Sequence, residues 1–294
     1  MLLLRDLVDD IDVIREHWPE EPKVYHHDPS LFRDLLTMGE VDALIDTDCI
    51  AARNIVLLRD GAVVEPHEYS DGDMPYEGAV RRHLAEGQSI SLRLLHTLRP
   101  DLARFREHIR QETGCRTHVN AYLTPGHQQG LRYHYDPYIT LIVQLHGRKV
   151  WHLHPPIVPR ATEEYGNFLP RRWTDEERQF LHATQPNDIV LEPGDVFFLP
   201  RSWVHALETT SDEPSLHLTF ALKQRTRAWY VEHLLDVLVR HVRADFDARE
   251  VVSAADLFDS TTSLEWARKY AIGALLAIDP EAAATSARVK ARTT

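Results

Sequence analysis

The stretch RTHVNAYLTPG, residues 116–126, changes the texture of the chain. From Thr117 to Leu123 the side chains alternate. His118, Asn120 and Tyr122 share one face, and Val119, Ala121 and Leu123 share the other. A period of two is the mark of a strand with one polar and one apolar side. Pro125-Gly126 ends it. Further strands are predicted at 131–135, 139–145, 148–154, 188–191, 195–199, 204–209 and 215–222. His146-Gly147 and Glu192-Pro193-Gly194-Asp195 supply turns between them. Many short strands separated by Gly/Pro turns predict a double-sheet jelly roll or barrel.

Outward from this region the pattern becomes helical. Asp28-Pro29 reads as an N-cap followed by proline at the first helical position, with Leu31, Phe32, Leu35 and Leu36 at helical spacing and Gly39 as the stop. Ile55 to Leu58, Asp60-Gly61, then Ala62 to Val64 reads as a β-hairpin, and 68–78 as a loop. Helices are predicted from Ser89 to Leu98 and from Pro100 to just before Gly114. Residues 155–187 interrupt the strands, with a short helix from Asp175 to Leu181. After Lys223, Trp229, Leu234, Leu235, Leu238 and Val242 recur at helical spacing, 263–278 forms another helix, and the tail after Glu281 is predicted to fray. The expected organisation is a mixed, mainly helical region over 1–115, a jelly-roll core over 116–223 and a helical region over 224–294.

Composition narrows the function classes. The 294 residues include 45 acidic and 33 basic groups, a net charge of −12, which argues against direct nucleic-acid binding and leaves a basic polypeptide open as substrate. The 43% of hydrophobic residues suffices for a core without staples. Cys49 and Cys115 allow at most one disulfide and form no CxxC motif, so a reducing cytoplasm is the simplest expectation. The leading Met1-Leu2-Leu3-Leu4 is too short for a signal peptide, and no apolar run is long enough to predict a membrane span.

The chemistry centres on His134-Tyr135-Asp136. On a strand, residues two apart point to the same side, so one imidazole and one carboxylate can face a common centre. The best third ligand is His205, at the end of LPRSWVH (199–205). Two histidines and one carboxylate on one face of a metal leave the opposite face open, the ligand set of non-haem Fe(II) oxygenases. Taken alone, HxD in a chain with 18 histidines is ordinarily just a polar strand. Lys149 lies on the second strand after it; it is either a surface lysine at a strand start or a buried cation that needs an anionic ligand.

Asn120 to Gly126, Gln129-Gly130 through His134 and Asp136, Gln144 through Gly147, Lys149 and Trp151, and then Asp195 through His205 together resemble the JmjC-type, cupin-like 2-oxoglutarate/Fe(II) oxygenases of the ribosomal oxygenase family. The likeness runs upstream to Gly87-Gln88-Ser89-Ile90 and His17-Trp18-Pro19, and downstream to His217 and Thr219. It implies a double-stranded β-helix with C-terminal helices. It also implies that Fe(II), 2-oxoglutarate and O₂ are used to hydroxylate a protein side chain, with release of succinate and CO₂. By the same resemblance, His134, Asp136 and His205 hold the iron and Lys149 and Thr219 hold 2-oxoglutarate. Asn120 and Tyr122 shape the pocket, and the C-terminal helices form a homodimer. That family also carries a winged-helix domain, for which the segment after Lys223 is short. The ribosomal-protein substrate that the resemblance implies is therefore joined by a different protein or peptide, such as a biosynthetic precursor peptide.

Two other readings stay open: a catalytically silent JmjC-like binding module, and a cupin metalloenzyme that uses no 2-oxoglutarate. The intact His134, Asp136, His205 and Lys149 together count against the first, and Lys149 discriminates the oxygenase from the second. His152 and His154 fall at a strand end before Pro155-Pro156 and are read as non-ligands; His26-His27 as exposed; Cys115 as packing. Strand parity turns His217 the same way as Thr219, and Trp203 either lines the pocket mouth or packs.

Overall fold

The computed structural model describes residues 2–161, 173–258 and 260–293. The first part of the chain runs α1 (Ile11–Glu16), β1 (Lys23–His26), α2 (Met38–Asp46), β2 (Ile55–Arg59), β3 (Ala62–Val63), β4 (Ser70–Asp71), β5 (Met74–Pro75), α3 (Ala79–Ala85), β6 (Ser89–Leu92) and α4 (Pro100–Thr113). The centre follows with β7 (Arg116–Thr124), β8 (Ile139–His146), β9 (Lys149–His154), α5 (Asp175–Ala183), β10 (Asn187–Leu191), β11 (Asp195–Leu199), β12 (Val204–Glu208) and β13 (Ser215–Lys223). Four helices close the chain: α6 (Arg227–Ala244), α7 (Ala254–Phe258), α8 (Thr261–Ala277) and α9 (Pro280–Thr293). Contacts divide it into two units, one of Met1–Thr113 with Thr117–Lys223 and one of Gly114–Arg116 with Gln224–Thr294.

The first unit is the expected double-stranded β-helix. An eight-stranded sheet has the order β1-β11-β8-β13-β7-β6-β2-β3, and a three-stranded sheet the order β10-β9-β12. The pairings are antiparallel, as in Val196↔Val143 and His205↔Leu153. Antiparallel sheets packed face to face bury alternate residues between them. Val56, Leu58, Leu131, Ile142, Trp151, Leu153, Phe197 and Leu207 form that core. On the far side of the large sheet Phe220 meets Phe105 of α4 edge-on at 5.1 Å, which explains why the Pro100–Thr113 helix keeps Leu102, Phe105 and Ile109 buried.

Five local expectations differ from the structure. Pro29–Phe32 is a single 3₁₀ turn capped by Asp28, and Gly39 lies inside α2, because Thr37 and Glu40 form a capping box that starts a new helix. Residues 89–92 are not helical: β6 is buried throughout and pairs with β2 and β7. A fully buried strand loses the alternation that identifies it in sequence. The loop at 68–78 contains a minimal hairpin, β4 with β5. Residues 131–135 form no strand and touch β12 only through the isolated bridges Gln129↔Glu208 and His134↔His205. The tail is helical, not frayed: Asp279 Oδ1 accepts from Glu281 N, Pro280 starts the helix, and Ala287 and Ala291 are buried. Part of the 155–187 interruption lies outside the described residues; α5 within it is present and capped by Thr174 and Glu177. Neither Cys49 nor Cys115 is in a disulfide.

In the second unit α6 packs on α8 and α9. Lys290 Nζ donates to Asp236 Oδ2 at 2.6 Å, and Arg225 lies over the Trp229 ring. Among the described residues no helix is long and apolar enough to cross a membrane.

The β8–β9 turn is fixed by Gly147, whose φ is +60° and at which an added Cβ would fall 2.1 Å from Pro214 O. Gly147→Ala is therefore expected to lower stability by roughly 1–3 kcal/mol. Urea unfolding checks this; an unchanged midpoint would show that the turn tolerates a side chain.

Candidate functional site

The site begins with backbone. His134 N donates to His205 O at 3.0 Å and His205 N to His134 O at 2.8 Å. Gly130 N donates to Leu207 O at 2.8 Å, and a Cβ on Gly130 would fall 2.3 Å from Leu207 Cδ1. This short ladder lays an irregular segment against β12, and Ser202 N adds a bond to Asp136 O at 2.8 Å. The rings of His134 and His205 come to 4.1 Å between centroids.

Each imidazole is held by a main-chain carbonyl. His134 Nδ1 pairs with Arg132 O at 2.8 Å and His205 Nδ1 with Trp203 O at 3.0 Å. A carbonyl only accepts, so each ring donates Nδ1–H and carries its lone pair on Nε2, the usual way a ligating histidine is oriented. Asp136 completes the group: its carboxylate and the two imidazoles offer ligand atoms within 4.8 Å of one another. Among the described residues this is the one such cluster of three.

Asp136 Oδ1 is buried and has no hydrogen-bond partner among the described residues. The Tyr138 hydroxyl donates to the same carboxylate. Burial pushes the Asp136 carboxyl above its ordinary range, against the opposing influence of His134 and Tyr138. Burial, and then the neighbouring His134, hold His205 well below the ordinary histidine range, which favours the neutral form that binds metals. A buried, unpaired carboxylate oxygen beside two oriented imidazoles is costly unless a cation sits among them. The donor set fits a divalent ion of the non-haem iron kind.

The cavity here has a volume of about 30 Å³ and is lined by Tyr122, Leu131, Thr140, Ile142, Trp151, Leu207, His217 and Thr219 besides the three ligand candidates. Lys149 is fully buried at 0% exposure, and its ammonium donates to Thr124 Oγ1. Burial alone lowers its pKa from the ordinary 10.5 to about 7. Among the described residues no carboxylate opposes it, so the protonated form is left for an anionic ligand to stabilise.

The seven sequence-predicted residues thus separate. His134, Asp136 and His205 converge. Tyr122 and Thr219 line the cavity, and Lys149 is the buried cation rather than the surface lysine. Asn120 is absent from the cavity wall; its Oδ1 accepts from Leu94 N at 3.0 Å, and its side chain also bonds Tyr122. His152 has both ring nitrogens engaged, by Asp188 at 2.6 Å and Glu208 at 3.3 Å, which keeps it out of a metal role. Trp203 packs at the edge of the core and donates Nε1–H to Glu20 O. Sequence reading gave no role to Trp151, though the motif contains it, and missed Tyr138. Each stands two residues beyond a residue that was singled out, so the parity that linked His134 to Asp136 would have reached both.

Comparison with known proteins agrees with this geometry. Residues 93–230 match the JmjC domain model, so the resemblance carried by the motifs holds. The chain is 28% identical over 234 residues to the bifunctional lysine-specific demethylase and histidyl-hydroxylase NO66 of Culex quinquefasciatus, covering 78% of this chain and 34% of that protein. It is 28% identical to ribosomal oxygenase 2 of Rattus norvegicus, over 76% and 46% of the two chains. The chain therefore spans between a third and a half of the length of these relatives. Among solved structures, YcfD, a ribosomal oxygenase from Escherichia coli in complex with cobalt and 2-oxoglutarate, matches with a TM-score of 0.55 at 16% identity, covering 92% of this chain and 67% of that one. At that identity the match establishes a shared fold.

Lys149 gives a pH signature. The unfolded chain keeps this proton up to about pH 10.5 and the folded chain releases it near 7, so between these values the unfolded state binds more protons. Stability of the ligand-free protein is expected to rise with pH through that window, the full burial cost being present below it. Lys149→Met should flatten the slope and raise stability at pH 7 by roughly 1–4 kcal/mol. Chemical unfolding at several pH values checks this; an unchanged slope would mean that the ammonium is not desolvated.

Proposed function

We propose that the protein is an Fe(II)- and 2-oxoglutarate-dependent oxygenase that hydroxylates a side chain of a ribosomal protein or a precursor peptide, releasing succinate and CO₂. The observation that carries the reading is the meeting, within one barrel, of the His134–Asp136–His205 cluster and the buried Lys149, which no carboxylate among the described residues opposes. A metal site alone would suit many cupins. A buried ammonium in the same barrel adds the demand for a dianion that reaches from metal to lysine, and 2-oxoglutarate has that form. The names of the relatives and the cobalt and 2-oxoglutarate in the Escherichia coli neighbour support it.

In this reading His134, Asp136 and His205 hold the iron, and Lys149 and Thr219 take the distal carboxylate. When bound, iron and 2-oxoglutarate supply the oxidising chemistry that activates O₂. The chain does the rest. Carbonyls of Arg132 and Trp203 keep the imidazole lone pairs aimed at the metal, and Tyr138 steadies the carboxylate. Leu131, Ile142, Trp151 and Leu207 exclude water around them. Tyr122 shapes the substrate side, with Asn120 steadying it from behind. The reacting module is 116–223, supported by 1–115.

Purified protein given Fe(II), ascorbate, O₂ and 2-oxoglutarate is expected to form succinate slowly without substrate, and His205→Ala to form none. Absence of both succinate and 2-oxoglutarate binding in the wild type would refute the oxygenase reading.

The 224–294 helices are proposed to form a homodimer. They leave Leu264, Leu276 and Phe258 exposed at 66%, 83% and 95%, more apolar surface than an isolated helical unit normally shows water. Sedimentation at micromolar concentration should give a dimer; a monomer there would contradict it.

A further inference from the structure

His217 is buried at 1% exposure on β13, yet its Nδ1 has no hydrogen-bond partner among the described residues. Leaving a buried imidazole nitrogen unpaired costs free energy, so the position is retained against a penalty. The ring is not loose. It stacks on Tyr122 at 5.0 Å with planes 13° apart, and meets Trp151 at 5.7 Å. It lines the cavity that holds the three ligand candidates, whereas Lys149 is not on the cavity wall. The charge of Lys149 bears directly on His217. His217, like Thr219 two residues on, is thus a polar group that the cavity presents while the buried cation lies behind.

The cross-strand partner of His217 is Gln144, whose Nε2 donates to His146 O, Gly147 O and Ser215 Oγ while its Oε1 is also buried and unpaired. The amide is therefore fixed by three bonds and is not turned to meet the histidine. Trp151 Nε1–H is a further buried donor without a partner.

Resting on the oxygenase reading, we infer that His217 donates Nδ1–H to the distal carboxylate of the bound 2-oxo acid beside Lys149, and so sets the preference for a dicarboxylate over a monocarboxylate. It is a binding residue for the co-substrate and does not touch the metal. The stack on Tyr122 and the edge contact with Trp151 hold the ring in one plane, so the donor is oriented before the ligand enters.

The test uses the full chain loaded with Co(II) and titrated calorimetrically with 2-oxoglutarate and with pyruvate, which lacks the distal carboxylate. His217→Phe keeps the aromatic stack and removes the donor. It is expected to weaken 2-oxoglutarate about 10- to 100-fold, the range for a hydrogen bond to a charged group, and to leave pyruvate and Co(II) affinity unchanged. His217→Asn, which restores an N–H near the same place, should recover much of the loss. Equal weakening of both acids would overturn the inference, because it marks a packing role; so would wild-type 2-oxoglutarate affinity in His217→Phe. Wild-type protein that binds Co(II) but not 2-oxoglutarate would instead refute the oxygenase reading from which the inference starts.

Discussion

The structure turns on two backbone hydrogen bonds, His134 N to His205 O and His205 N to His134 O. They join residues far apart in sequence and tie a segment that is otherwise not a strand to β12. With Gly130 pressed against Leu207, they set a register in which both imidazoles fall on the same side. A one-residue slip would send one of them to the opposite face. The side-chain bonds to Arg132 O and Trp203 O then fix the ring planes, and the position of Asp136 follows from the His-x-Asp spacing and the bond from Ser202 N. The large sheet, the α4 helix and the buried Phe220–Phe105 pair act on the chemistry by holding this register.

Around that register the barrel breaks the rules that govern its other interior positions. Its core proper is Leu, Ile, Val, Phe and Trp, packed between two sheets. Near the site the same interior contains Lys149, His205, His217 and the Asp136 carboxylate, all desolvated. Burial drives each toward its neutral form, and no internal salt bridge among the described residues relieves Lys149. Local violations of this kind collect where a ligand completes the structure. A cation among the three ligand candidates and an anion beside Lys149 and His217 would satisfy the whole set together, which is why the metal and the 2-oxo acid belong to a single reading.

Much of this was legible in the sequence because strands announce themselves when one face is wet. The alternation of His118, Asn120 and Tyr122 against Val119, Ala121 and Leu123 located β7, and the Gly/Pro turns located most of the rest. β6 was misread because all four of its residues are buried, which erases the period. The Gly39 stop failed because a capping box two residues earlier outweighs one glycine. His134, Asp136 and His205 were legible by spacing and motif. The burial of Lys149, the unpaired nitrogen of His217 and the hydroxyl of Tyr138 were not, since each depends on what another strand places opposite. Pattern gave the faces, and only the packing shows which polar groups on them lack partners.

The most direct measurement is an anomalous difference map from a crystal soaked with Mn(II) and 2-oxoglutarate. A single metal peak bonded to His134, Asp136 and His205, with the organic acid extending from it to Lys149, is the expected result. A peak seated elsewhere, as between His152, Asp188 and Glu208, or an acid that ignores Lys149, would contradict the assignment of this barrel as one metal and dianion site.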